Sequence, residues 1–227
     1  MFGRDGDGDA GGDGGADVDF AAARNRLVDR LAARRDFDEA TVEAMRAVPR
    51  HEFVPERRRD RAYVDTPLPI GEDQTISAPH MVAEMVDLLD LDPGEDVLEI
   101  GTGCGYHAAV VAEVVGAEHV HSVEYHESLA RDARRRLGRL GYGDVRIRAG
   151  DGTDGWPEHA PYDAAYLTAA PEEFPGPVVE QVRPEGRLLG PLGTRRQRLV
   201  LARRRPDGSL ARERHGAVRF VPMRGGD

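Results

Sequence analysis

An α/β fold around a mostly parallel sheet, with helices added at the N-terminus, is what this 227-residue sequence predicts. Three observations lead there. From residue 81 onward short apolar runs alternate with amphipathic stretches of helical period, the pattern of strands joined by crossover helices. One such run, Val97–Ile100, passes straight into Gly101-Thr102-Gly103-Cys104-Gly105, and an Ala/Val-rich helical stretch follows. A strand, a tight glycine turn and a helix N-terminus make a ligand crevice at the carboxyl edge of a parallel sheet, the Rossmann-like arrangement. Hydrophobic residues make up 40% of the chain, enough for a core, yet no run of eighteen apolar residues occurs, so no membrane-crossing helix is expected.

Taken in order, residues 1–17 are acidic and glycine-rich with almost no apolar content, and they are expected to be disordered. The opening MFGRDGDGDAGGDGG is the opposite of a signal peptide, and a cytoplasmic location is expected. Residues 18–80 form an N-terminal region within the same domain. Phe20, Leu27, Val28 and Leu31, then Phe37, Val42 and Met45, recur at helical spacing and predict two helices. Prolines at 49, 55, 67, 69 and 79 exclude long regular elements from Val48 to His80, although Phe53, Tyr63, Leu68 and Ile70 argue against disorder. A loop of that length in a compact domain is usually functional.

Residues 81–227 read as the core. Met81–Leu91 is a helix with Met81, Met85, Leu88 and Leu89 on one face, Ser77 as a candidate N-cap, and Pro93-Gly94 as its stop. The predicted strands are Val97–Ile100, His119–Val123, Val145–Arg148, Tyr162–Thr168 and Arg187–Leu192. Helices fall at Ser128–Leu140 and Phe174–Val182. Gln197–Arg204 and Arg214–Phe220 read as two strands joined through Pro206-Asp207-Gly208.

Charge narrows the setting. Against 41 Asp+Glu stand 31 basic residues, all of them arginine, for a formal net charge of −10. An acidic, lysine-free chain predicts a halophilic, archaeal source. At molar salt surface charge is screened within about 3 Å, so acidity alone argues only weakly against a nucleic-acid partner. No nucleic-acid or membrane partner is expected, and a monomer is the expectation. Cys104 stands alone, which excludes an internal disulfide and a multi-cysteine metal site. The histidines show no metal-ligand spacing, and no metal is expected.

The glycine spacing separates two cofactor classes. A dinucleotide fingerprint reads G-x-G-x-x-G/A, with a small residue where helix and strand pack. Here Gly101, Gly103 and Gly105 alternate, the bulky Tyr106 follows, and Glu99 sits two places before the first glycine. That pattern resembles the class I S-adenosylmethionine-dependent methyltransferases, whose first motif is acidic-x-Gly-x-Gly-x-Gly. Glu124 closes the next strand, twenty-three positions after Gly101, where an acid in a Rossmann-like crevice accepts the ribose hydroxyls. Asp151, in Gly150-Asp151-Gly152, suits either an adenine-binding acid or an ordinary Asx turn.

A larger resemblance rests on VPRHEFVPE, on PLPIG followed by QTISAPHM, on LEIGTGCGY, on GDGTDGWP with APYD, and on the terminal VRFVPM. With these segments the chain resembles the protein-L-isoaspartate (D-aspartate) O-methyltransferases, from about Val48 onward. The resemblance implies that Ser77 is the active-site serine, with Thr75, His80, Thr168 and Val218 on the substrate side. It implies cofactor contacts from Glu99, Gly101, Gly103, Gly105, Glu124, Asp151 and Gly152, and damaged proteins carrying isoaspartyl residues as partners. Three departures stand out: Glu72-Asp73 replaces a frequent Tyr-Gly, the Thr168-Ala169-Ala170-Pro171 run is one alanine short, and His107 stands where glutamine is frequent.

The chemistry agrees. An isoaspartyl residue presents a free α-carboxyl of pKa about 3.3–3.7, already ionised at neutral pH, so the acceptor needs no general base. What remains is positioning, which can supply roughly 7–11 kcal/mol. Two alternatives stay open: a methyltransferase of the same fold acting on a small molecule or RNA, and a non-catalytic paralogue. An amine acceptor would call for an Asn-Pro-Pro-Tyr-like motif after the fourth strand, where this chain has Leu167-Thr168-Ala169-Ala170-Pro171.

Overall fold

A computed structural model gives the structure of residues 19–226, so the expectation for residues 1–17 lies outside the described residues. Helix α1 (Phe20–Ala32) starts where Asp19 accepts the Ala22 amide, and α2 (Glu39–Ala47) where Asp38 accepts that of Thr41. Each carboxylate satisfies an amide that the first helical turn leaves without a partner. Leu27, Val28 and Leu31, then Ala44 and Met45, turn inward at helical spacing.

From Val48 to His80 the chain folds without long elements, as its prolines require. It makes 3-10 turns at Arg50–Glu52 and Glu56–Arg61. It also makes a hairpin of β1 (Leu68–Gly71) and β2 (Gln74–Ile76), where the proline spacing predicts a loop. The prolines are tolerated because this two-stranded sheet consists of edges only. Arg50 holds the segment from inside. Its fully buried guanidinium donates to the carbonyls of Ala62 (2.8 Å) and Thr66 (3.3 Å) and lies 5.1 Å from the Tyr106 ring.

Helix α3 (Pro79–Leu89) leads to β3 (Val97–Ile100), α4 (Tyr106–Val115), β4 (Val120–Glu124), α5 (Glu127–Arg139) and β5 (Arg146–Ala149). Then follow β6 (Tyr162–Leu167), α6 (Gly176–Gln181) and the strands β7 (Val182–Leu192), β8 (Gln197–Arg204) and β9 (Leu210–Val218). Among the described residues the main sheet has seven strands in the order β5-β4-β3-β6-β7-β8-β9. The first five of these are parallel, and β8 and β9 add on antiparallel.

The chain winds outward from β3 to β5 and then returns to β6 on the other side of β3. That reversal opens a crevice at the carboxyl ends of β3 and β6, the switch point where open α/β sheets bind ligands. Leu98 and Ile100 face one core layer with Leu167 and Val178. Val97 faces the other, with α3, α4 and α5. Helix α4 is buried at eight of its ten positions, which explains its almost uniformly apolar sequence.

Candidate active site

A cavity lies at this switch point and measures about 780 Å³, including the part open to solvent. One wall is the glycine turn, Gly101–Cys104, with Tyr106 and His107. Another is β2 and the residues after it, Gln74–Ser77. A third is Thr168 and Ala169 with the C-terminal Val221–Arg224. Glu124–His126 close the side toward β4.

Glu124 is buried at the end of β4. Its Oε2 accepts the Gly103 amide at 2.8 Å and its Oε1 the His126 amide at 2.9 Å. Each oxygen keeps a free lone pair, so the carboxylate can still accept two vicinal hydroxyls from a ligand in the cavity. Gly101 is at φ +102°, and a Cβ there would overlap Thr168 Oγ1. Thr168 Oγ1 donates to the Gly101 carbonyl at 2.5 Å, so glycine lets the two loops meet edge to edge. Gly105 has a different use. It lies off the cavity wall, at φ +88°, where a Cβ would press on Leu137 of α5 at 3.1 Å.

Ser77 and Thr75 both line the cavity. The expectation that Ser77 caps the following helix is corrected by the structure. The N-cap is Ala78, held extended (ψ 144°) before Pro79, so Ser77 falls one residue outside the helix. Its hydroxyl is free of capping duty.

Other expected site residues lie away from the wall. His80 Nδ1 pairs with Asp65 at 2.8 Å and fastens the end of the 48–80 segment. Val218 ends β9, paired with Gln197. The Asp151 carboxylate accepts the amide and hydroxyl of Thr153 at 2.8 and 2.7 Å and the Gly226 amide at 2.8 Å. Burial opposes its ionisation, but those hydrogen bonds prevail and keep its carboxyl below the usual range. This is the Asx-turn geometry, and of the pair Gly152 alone reaches the cavity.

Glu99 lies beneath the floor rather than on it. Fully buried, it accepts the Ser122 hydroxyl at 2.5 Å, and the Tyr166 hydroxyl lies beside it. Burial pushes its carboxyl up to about 7. Among the described residues no group of three His, Cys, Asp or Glu side chains gathers as metal ligands.

The resemblance places Val218 to Pro222 beside the substrate groove, and of these Val221 and Pro222 line the cavity; Met223, Arg224 and His107 line it too, without having been expected there. The tail is held by the Ala170 amide donating to Val221 and the Met223 amide donating to Ala170. The signal was present in VRFVPM, whose last three residues, Val221, Pro222 and Met223, line the cavity where Val218 does not. His107 is buried, its ring 4.5 Å from that of Tyr166, and neither nitrogen has a hydrogen-bond partner among the described residues. Burial lowers its pKa to about 3.

Between about 3 and 6.5, therefore, the unfolded chain holds a proton that the folded chain does not, and stability falls as pH drops through this window. Glu99 acts in the opposite sense between 4.5 and about 7. A comparison at fixed Glu99 isolates the histidine: on going from pH 6.5 to 5, the melting temperature of His107→Gln is expected to fall less than that of the wild type. Equal falls would remove His107 as a source of acid sensitivity.

With this geometry in hand, comparison with known proteins decides the family. A family model for protein-L-isoaspartate(D-aspartate) O-methyltransferase matches residues 22–227. The chain belongs to that family. It is 50% identical over 209 residues to protein-L-isoaspartate O-methyltransferase 2 of Archaeoglobus fulgidus, covering 92% of this chain and 95% of that protein. It is 51% identical over 210 residues to the protein-L-isoaspartate O-methyltransferase of Methanopyrus kandleri, covering 91% and 93%.

Among solved structures, a protein-L-isoaspartate O-methyltransferase superposes with a TM-score of 0.81 at 32% identity, over 89% of this chain and 66% of that one. A Plasmodium falciparum protein in complex with S-adenosyl-L-homocysteine shares the fold, with a TM-score of 0.76 at 24% identity over 88% and 98% of the two chains. The fold is therefore the class I S-adenosylmethionine-dependent methyltransferase fold that the sequence predicts.

Proposed function

We propose that this protein methylates the free α-carboxylate of L-isoaspartyl residues in damaged proteins, with S-adenosylmethionine as methyl donor. The observation that carries the reading is that Ser77, with an uncommitted hydroxyl, and Glu124, with free lone pairs, line one cavity. The donor's diol and amino-acid ends suit this chain's own groups: Glu124 for the diol, and the glycine turn at the start of α4, with its helix dipole, for a carboxylate. When bound it supplies an electrophilic methyl on a sulfonium.

The chain's residues then have little proton chemistry to do. Ser77, with Thr75 beside it, orients the acceptor carboxylate by donating a hydrogen bond, and no base is required. One carboxylate oxygen bonds to the methyl carbon, and the bond to sulfur breaks. The neighbouring backbone nitrogen attacks the resulting ester, methanol leaves with the amide proton, and the succinimide so closed hydrolyses in part to normal aspartate.

Setting and source follow as proposals of the same kind. No helix among the described residues is long and apolar enough to cross a membrane, and a monomer working in a salt-rich archaeal cytoplasm suits the lysine-free, acidic composition. The test is methyl transfer to an isoaspartyl peptide and to its normal aspartyl counterpart, repeated from low to molar salt. Labelling of the isoaspartyl peptide alone is expected, with activity kept at molar salt. Labelling of neither peptide by a folded protein that binds the donor would favour another acceptor or a binding role. Loss of activity at molar salt would remove the halophilic reading.

A further inference from the structure

The β1–β2 hairpin forms a sheet of its own, apart from the seven-stranded one, and it sits directly on the cavity. Ile70 packs over the glycine turn, its Cδ1 3.3 Å from where a Gly103 Cβ would stand. Gln74, Thr75 and Ile76 form part of the cavity wall. An isolated two-stranded hairpin is marginally stable on its own. This one also turns through Glu72 and Asp73 at φ 51° and 58°, a backbone region that glycine and asparagine occupy far more readily than glutamate.

A poor turn residue has a compensating use here. The Glu72 carboxylate crosses to the far side of the cavity: its Oε1 accepts the Ser128 hydroxyl at 2.7 Å, and its Oε2 lies 3.8 Å from His126 Nδ1. His126 is the residue whose amide holds Glu124. Two carboxylates thus meet at one short segment, Glu124 from the glycine-turn side and Glu72 from the hairpin side. Gln74 steadies the turn by donating from its side chain to the Glu72 carbonyl at 3.1 Å.

We infer that the β1–β2 hairpin is a clasp over the cofactor end of the cavity, and that Glu72 is the positioning residue that latches it to the start of α5. The inference rests on the cofactor reading above. Cofactor enters and product leaves when the Glu72–Ser128 bond opens. Neither Glu72 nor Ser128 lines the cavity, so the effect of the latch falls on residence time rather than on methyl transfer. It also accounts for the place where the sequence departs from the frequent Tyr-Gly: the side chain here fastens the hairpin instead of easing its turn.

The test uses the full chain and S-adenosylhomocysteine. Glu72→Asn removes the reach and the charge while suiting a positive-φ turn, and Ser128→Ala removes the partner hydroxyl. Asp73→Asn is the control, a charge lost from the same turn without a bond to α5 among the described residues. In a chase experiment at matched ionic strength, release from Glu72→Asn and from Ser128→Ala is expected to be roughly fivefold faster than from wild type, the scale of an exposed charge-assisted contact. The double variant should be no faster than either single one. In the free protein, amides of Gln74–Ile76 should exchange faster in both single variants, with melting temperature unchanged.

Unchanged release and exchange in Glu72→Asn, or equal acceleration by Asp73→Asn, would overturn the latch. A folded wild type that holds no S-adenosylhomocysteine would overturn the cofactor reading and the latch together.

Discussion

Ser77→Asp is expected to lose nearly all isoaspartyl methylation while melting at the wild-type temperature. Ser77 stands one residue outside α3, so neither Asp nor Ala at this position alters a helix cap. Asp places a second carboxylate against the acceptor carboxylate. Two such charges about 4 Å apart repel by roughly 4 kcal/mol at an effective dielectric near 20, which is close to a thousandfold in rate. Ser77→Ala removes only the orienting hydrogen bond. A bond to a charged group is worth about 1.5–3 kcal/mol, so kcat/KM should fall roughly tenfold to a hundredfold. Cofactor affinity, read by calorimetry, should stay within about twofold in both variants, since cofactor binding is assigned to other residues. A fully active Ser77→Asp enzyme would sink the assignment.

Glu124→Ala is expected to weaken S-adenosylmethionine binding by a hundredfold or more, on the order of two charge-assisted hydrogen bonds. The loss has two sources. Acceptors for the ligand's hydroxyls disappear, and the Gly103 and His126 amides lose the carboxylate that fixes them. Glu124→Gln keeps one acceptor oxygen and should fall between the two. Calorimetry on the folded variants measures this directly, and wild-type affinity in Glu124→Ala would remove the residue from the site.

How much of this was legible in the sequence depends on the range of the interactions. The central parallel strands β3, β4 and β6 were legible because each is a short run buried along nearly its whole length. Their limits moved by a residue or two, as with His119–Val123 against the observed Val120–Glu124. The outer strands were harder. β9 starts at Leu210 rather than Arg214, because an exposed edge strand can carry Arg212, Glu213 and Arg214 without an apolar signature. β7 starts at Val182 although Pro184 and Gly186 interrupt its pattern. The hairpin was hidden by Pro67 and Pro69, which read as breakers although edge strands accept proline.

The site divides along the same line. Gly101, Gly103 and Glu124 were legible from spacing, since one strand–turn–helix unit and the next strand end fix their places. Ser77 came from the resemblance, and local capping rules alone gave it the wrong task because Pro79 moves the helix start. The tail wall depends on a bridge between Ala170 and Pro222, a pairing that no local pattern announces. His80 and Val218 lie on the right segments, but their side chains and pairings are used to hold those segments in place.

The tail bridge also bears on when the site comes into being. Synthesis proceeds from the N-terminus, and domains form as their chain emerges. The glycine turn and Glu124 leave the ribosome about a hundred residues before Val221–Arg224, which complete the opposite wall. A chain extended only as far as β9 therefore has a cavity open on that side, and the wall is complete only once Val221–Arg224 have docked against Ala170.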